Sequence, residues 1–144
     1  MSTVSISVGN IPAIVRKFRS IEKDLSENRI ADAASALVLD ANRKRFLAET
    51  DPDGQPWTPS KAGQRRRQSG GTGTLFDTGN LFRSIQAFKA VDGTAEVGTN
   101  LPYAEKHQEG LGVEQRVFLG ISDSDTDRVV DLVERMAAKA IGNG

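Results

Sequence analysis

Ala87-Phe-Lys-Ala-Val-Asp-Gly-Thr-Ala-Glu-Val-Gly98 is the stretch that decides the fold. Two short β-prone runs, 87 to 91 and 94 to 98, flank Asp92-Gly93. An Asp-Gly pair in that position favours a tight turn with both central residues at positive φ, which folds one strand back antiparallel on the other. Near the start of the chain, Val4, Ile6 and Val8 alternate with Ser5 and Ser7, the period of a half-buried strand over Thr3 to Val8. Glu114 to Leu119, ended by Gly120, reads as a further strand.

The rest of the pattern is helical. Ile11, Ile14, Val15, Phe18, Ile21 and Leu25 fall at three- and four-residue spacing behind Asn10 as N-cap and Pro12 in the first turn. A second helix is predicted from about Asn28 to Glu49, where Ile30, Ala34, Leu37, Val38, Ala41, Phe46 and Leu47 recur in an alanine-rich, glycine-free run. A last helix is predicted from about Asp123 to Ala140. Val129, Leu132, Val133, Met136 and Ala140 form its apolar stripe, behind acidic residues that suit a helix N-terminus. Short helical turns are expected at Leu75 to Ile85, with Leu81, Phe82 and Ile85 inward, and at Tyr103 to Glu109, ended by Gly110. Helices, then strands, then a helix imply an α+β fold rather than alternating βαβ units. The expectation is a small antiparallel β-sheet with long amphipathic helices packed against it, in a single domain spanning 1 to 144.

Between these elements, residues 51 to 74 hold three of the five prolines, five of the fourteen glycines and the triplet Arg65, Arg66 and Arg67, with no sustained apolar period. The stretch reads as one long loop or arm, and unstructured connections of that length inside compact domains are usually functional or disordered. Trp57, between Pro56 and Pro59, either locks this loop onto the core or waits exposed as an anchor for a partner.

Composition removes several function classes. The absence of cysteine excludes a disulfide framework, a thiolate zinc site and a cysteine nucleophile. Nineteen basic and nineteen acidic residues cancel, which argues against a dedicated polyanion binder. The halves differ, however. Residues 1 to 70 carry twelve Lys/Arg and eight Asp/Glu, and residues 71 to 144 carry seven and eleven, a dipole of +4 against −4 suited to head-to-tail packing of identical subunits. No stretch approaches the roughly 20 apolar residues of a membrane span, and the uncharged start lacks a basic segment of the secretory kind. A reducing cytoplasm is the expected place of synthesis.

Few residues suggest chemistry of their own. His107 is the single histidine and lacks a nucleophile elbow, a phosphate-binding lysine loop or a second histidine, so it reads as a structural hydrogen-bonding residue. A small hydrolase using His107 is the catalytic alternative. Asp51, Asp53 and Gly54 lack the distal glutamate of a calcium loop, and Asp123, Asp125 and Asp127 read as helix capping. Gly70-Gly-Thr-Gly beside the arginines resembles a phosphate cradle without the lysine that would follow, and reads as a solvated basic loop. A basic-loop nucleic-acid-binding accessory protein, with steeply salt-dependent binding, is the alternative from another class.

Four ordered segments together resemble the phage virion-morphogenesis family, the tail-completion proteins of Mu-like and P2-like tailed phages. Phe46 with Asp51-Pro-Asp-Gly-Gln-Pro-Trp-Thr-Pro is the first, and Leu75-Phe-Asp-Thr-Gly-Asn-Leu-Phe-Arg-Ser-Ile the second. Val97-Gly-Thr-Asn-Leu-Pro-Tyr-Ala-Glu-Lys-His-Gln-Glu-Gly and Arg116-Val-Phe-Leu-Gly-Ile-Ser-Asp-Ser-Asp follow. Asp51, Gly54, Gly79, Tyr103, His107, Gly110 and Arg116 match the motif positions as structural residues. Two departures stand out. Val113-Glu-Gln precedes Arg116 where the family has a proline-containing turn, and the loop from Arg65 to Gly73 has no match.

The resemblance implies a structural virion protein, a tail-completion or tail-terminator subunit at the neck, without enzyme activity or cofactor. It implies assembly in the bacterial host cytoplasm into a ring, commonly a hexamer. The implied partners are the tail tube and head–tail connector proteins, with passing contact to phage DNA and none to membrane. A head-assembly factor is the alternative within the virion. Trp57, Arg65, Arg66 and Arg67 are the residues expected to meet a neighbouring subunit, a partner or the DNA passage.

Overall fold

A computed structural model describes residues 2–7 and 27–142. Helix residues 11 to 25 of the sequence reading lie outside the described residues. The elements in chain order are β1 (Ser2–Ser7), α1 (Glu27–Ala48), α2 (Lys61–Gln68), α3 (Asn80–Ser84), β2 (Gln86–Val91), β3 (Thr94–Thr99), α4 (Ala104–Glu109) and α5 (Asp123–Gly142). The fold is α+β.

The hairpin forms where Asp92-Gly93 places it. Asp92 and Gly93 have φ of 52° and 76°, the left-handed pair that a tight hairpin turn requires. β3 is the middle strand of an antiparallel sheet in the order β1-β3-β2, with Val4 opposite Val97 and Ile6 opposite Ala95. The β2–β3 register shifts between Phe88 and Val91. The Ala90 N–H donates instead to the Asp32 carboxylate of α1, at 2.7 Å. The turn is held to the same helix, since the Gly93 N–H donates to Asn28 Oδ1 at 2.8 Å.

α1 lies across one sheet face because its small and branched residues allow close approach. Ile30, Ala31, Ala34 and Val38 are buried with Ile6, Ala95 and Val97. α5 packs on α1 through Val129, Val133 and Ala137, as its apolar stripe predicts. Ser122 and Asp125 cap α5 reciprocally: Ser122 Oγ accepts from the Asp125 N–H and Asp125 Oδ2 accepts from the Ser122 N–H, both at 3.0 Å. The capping reading of the aspartates therefore holds at Asp125.

Two expectations are corrected. The stretch 51 to 74 is not one unstructured loop, because α2 occupies Lys61–Gln68. Ser60 caps it by accepting from the Gly63 N–H at 2.9 Å, and Thr74 Oγ1 accepts from the Ser60 N–H at 3.1 Å. Gly63 faces Thr74 so closely that a Cβ there would stand 2.8 Å from the Thr74 nitrogen. α2 was hidden because Ala62 is the only apolar side chain in it, which leaves no period to read. The second correction concerns Glu114 to Leu119, which forms no strand and pairs with none of the described strands. Side chains take up its backbone groups instead.

Candidate functional site

The four motif segments converge around that stretch. Gln108 of α4 accepts from the Phe118 and Leu119 N–H groups with Oε1, at 3.0 and 3.1 Å, and donates through Nε2 to the Leu119 carbonyl at 2.9 Å. One amide thus replaces a neighbouring strand for two residues. Asn42 of α1 does the same one step on, exchanging two hydrogen bonds with Gly120 at 2.9 and 3.0 Å and donating also to the Val38 carbonyl at 2.7 Å. Arg45 donates to the Gly120 carbonyl at 2.9 Å and pairs with the Asp125 carboxylate at 2.8 Å. Trp57 Nε1 donates to the Val117 carbonyl at 2.9 Å. Buried backbone groups must find partners, and these side chains supply them.

Trp57 therefore locks its loop onto the core. It is buried, and its ring meets Phe46 edge-on with centroids 5.3 Å apart. As a partner-facing anchor it is withdrawn by that burial. The preceding loop is tied by Asp51, whose Oδ1 accepts from the Asp53 and Gln55 N–H groups at 2.9 and 2.8 Å. Gly54, Gly79 and Gly110 sit at φ of 84°, 82° and 75°, the left-handed conformation that glycine adopts without steric cost. They form a turn, the start of α3 and the end of α4.

The arginine triplet divides. Arg67 pairs with Glu49, whose other oxygen accepts from the Thr74 N–H at 2.6 Å. Arg66 donates to the Gly73 carbonyl at 2.6 Å, while its Nε is buried without a partner. Arg65 is exposed and makes no side-chain bond. Two of the three thus hold the chain's own loop, and one faces outward.

Arg66, Tyr103, His107 and Arg116 line a cleft of about 390 Å³ with Asp77, Thr78 and Gly79. Arg116 is buried, donates from Nε to the Thr58 carbonyl at 2.7 Å, and its N–H donates to the His107 carbonyl at 2.8 Å. His107 thus anchors its neighbour through its backbone. Its ring Nδ1 is buried with no hydrogen-bond partner. Burial, then the positive charges of Arg116 and Lys106, hold the imidazole below its ordinary value of 6.5. The cleft is positive in character and favours an anionic or carbonyl-bearing guest over a cation. Among the described residues, no group of three or more His, Cys, Asp and Glu could hold a metal ion, and no helix is long and apolar enough to cross a membrane.

A pH dependence follows. Between the lowered folded value and the unfolded value near 6.5, the unfolded chain binds the extra proton, so stability falls as pH drops through that window. Thermal unfolding of the wild type should lose stability from about pH 7.5 to about pH 5.5 by more than a His107→Gln variant does. Parallel melting curves of the two proteins across that range check it.

Sequence reasoning named the glycines, Trp57, His107 and Arg116 but missed Asn42, Arg45 and Gln108. A signal existed for Asn42, since it interrupts the apolar row Ala34, Val38, Phe46 at four-residue spacing. Gln108 stood inside a quoted motif without a role, because nothing local distinguishes it from a surface amide.

In comparisons with known proteins, the model of the phage virion morphogenesis family matches residues 13–137. No curated protein and no solved structure matches.

Proposed function

The chain belongs to the phage virion morphogenesis family, and from that premise we propose that it is a tail-completion or tail-terminator subunit. In this reading it sits at the neck of the virion as one member of a ring. It presents a surface that the tail tube and the head–tail connector recognise, and it performs no chemical step. The observation that carries the reading is the fate of the polar motif residues. Asp51, Trp57, Gln108 and Arg116 spend their hydrogen-bonding groups on backbone atoms of this chain and so build a rigid body. A hydrolytic use of His107 is disfavoured, because no partner orients its Nδ1. A dedicated nucleic-acid binder is disfavoured by the internal bonds of Arg66 and Arg67. Passing contact with DNA through Arg65 is compatible with the ring.

Electron microscopy of lysates from a phage lacking the gene tests the proposal. DNA-filled heads beside unattached or overlong tails are the expected result. Malformed heads would move the role to head assembly, and normal infectious particles would overturn the structural reading.

A further inference from the structure

Two surfaces of the molecule complement each other in charge. On α5, Asp123, Asp127, Asp131 and Glu134 are all exposed. Their spacing of four, four and three residues sets them in one row along the helix, between the buried row of Val129, Val133 and Ala137 and an exposed basic row of Arg128, Arg135 and Lys139. The row is roughly 16 Å long at 1.5 Å per residue. None of the four carboxylates makes an ion pair with a described residue.

The other surface is the cleft beside α2. It continues into a shallower groove of about 610 Å³, since Ala62, Arg66 and Asp77 line both. Arg65, Arg66 and Arg116 outweigh Asp77 along the combined channel. Arg65 is exposed and has no partner of its own, while Arg66 and Arg116 contribute their charge from side chains bonded to the Gly73 and Thr58 carbonyls. The channel is therefore a positive surface on which Arg65 is the guanidinium free to pair.

The geometry points to one occupant: the acidic face of α5 from a second copy of this chain, laid along the α2 channel. The carboxylates on α5 are opposite in sign to the arginines that line the channel. The channel is bordered by α2, α3 and α4, whereas α5 packs on α1. Donor and acceptor surfaces thus belong to different elements, which makes the contact head-to-tail, the kind that closes a ring or continues as a filament. This deepens the proposed ring and rests on that reading for its biological place, though the contact itself is a property of the isolated chain.

The absence of native cysteine makes the contact directly testable on the full-length chain. Arg65→Cys and Asp131→Cys are made as separate proteins, each otherwise wild type, and mixed at high concentration and low salt under oxidation. The expected product is a covalent heterodimer, formed by the mixture and by neither protein alone. Placing both substitutions in one chain should give a ladder of covalent oligomers. Within that two-cysteine chain, Asp127→Lys should cut the ladder by about tenfold or more, and so should raised salt.

Cross-linking of Arg65→Cys with itself would overturn the inference in favour of a two-fold contact. Failure to cross-link at any attainable concentration would overturn it outright. Salt-sensitive retention of duplex DNA, lost in Arg65→Glu and accompanied by no cross-link, would overturn it in favour of a phosphate occupant. Each of these leaves the tail-completion proposal to be decided separately by the morphology of gene-deficient particles.

Discussion

Asp125→Ala should lower the unfolding free energy by about 3–5 kcal/mol, the range seen when one partner of a buried ion pair is removed. Asp125 is 2% exposed at its side chain and Arg45 16%, so water cannot replace the lost carboxylate. Two separate functions vanish together. The Arg45 guanidinium loses its counter-charge while keeping its bond to the Gly120 carbonyl, and its Nε is already buried without a partner. The Ser122 N–H loses its acceptor at the start of α5. Asp125→Asn separates the two, since its amide oxygen can still accept from Ser122 while the charge is gone. Its loss should fall between wild type and Asp125→Ala. Adding Arg45→Met to Asp125→Ala should restore part of the stability, because it removes the stranded charge. Urea unfolding of the four proteins measures this. Equal losses for the Asn and Ala variants would show that the ion pair, and not capping, dominates, and an Asn variant as stable as wild type would show the reverse.

The ion pair also shows where sequence reading stops. The hairpin at Asp92-Gly93, the end of α4 at Gly110 and the apolar stripe of α5 were legible, because each depends on residues within a few positions of one another. Gly120 was seen only as the end of a strand. Its backbone is held by Asn42 and Arg45, about 75 residues earlier, and long-range polar pairing leaves no periodic trace. The missing strand at Glu114 to Leu119 has the same cause. Its composition is β-prone, but strand formation needs a neighbouring strand, and here Gln108 and Trp57 satisfy the backbone first. α2 escaped for the opposite reason. It is held by a cap, by Arg66 on Gly73 and by Arg67 on Glu49 rather than by an apolar face, so only Ser60 before Lys61 advertised it.

The candidate site was legible only in part, since nothing in the sequence signalled that any of the motif residues share a cleft, and Asp51, Gly54 and Gly110 lie away from it. The motif residues Gly79, Tyr103, His107 and Arg116 do line one cleft. Arg65 to Arg67, which look alike in the sequence, take three different parts. A contiguous basic run says nothing about which guanidinium the fold consumes internally. That depends on where Gly73 and Glu49 arrive in space.

Phe46→Ala tests whether the motif segments act as one cooperative unit. Phe46, near the end of α1, is 1% exposed and surrounded by aromatic rings. Its centroid lies 5.3 Å from Trp57, 5.5 Å from Phe82, 6.0 Å from Phe118 and 6.4 Å from Phe76. Those four rings come from the Asp51 to Pro59 segment, the Leu75 to Ile85 segment and the Arg116 to Gly120 segment, so Phe46 is where they meet. Removing a buried phenylalanine ring costs about 3–5 kcal/mol, the transfer of its surface plus the cavity left behind. The upper part of that range is expected here, because the neighbours are fixed by hydrogen bonds such as Trp57 to Val117 and cannot collapse into the gap. Phe46→Leu fills most of the volume and should cost less than half as much. Trp57 is the only tryptophan, so its emission reports on this cluster alone. In Phe46→Ala the emission should shift to the red before global unfolding, as Trp57 loosens with the α2 loop, and Phe46→Leu should keep the wild-type spectrum. If the single-tryptophan signal and the far-ultraviolet helix signal of Phe46→Ala instead melt together with an unshifted native spectrum, the segments are held independently of Phe46. The rigid body on which the docking channel depends would then rest on the Gln108 and Asn42 hydrogen bonds alone.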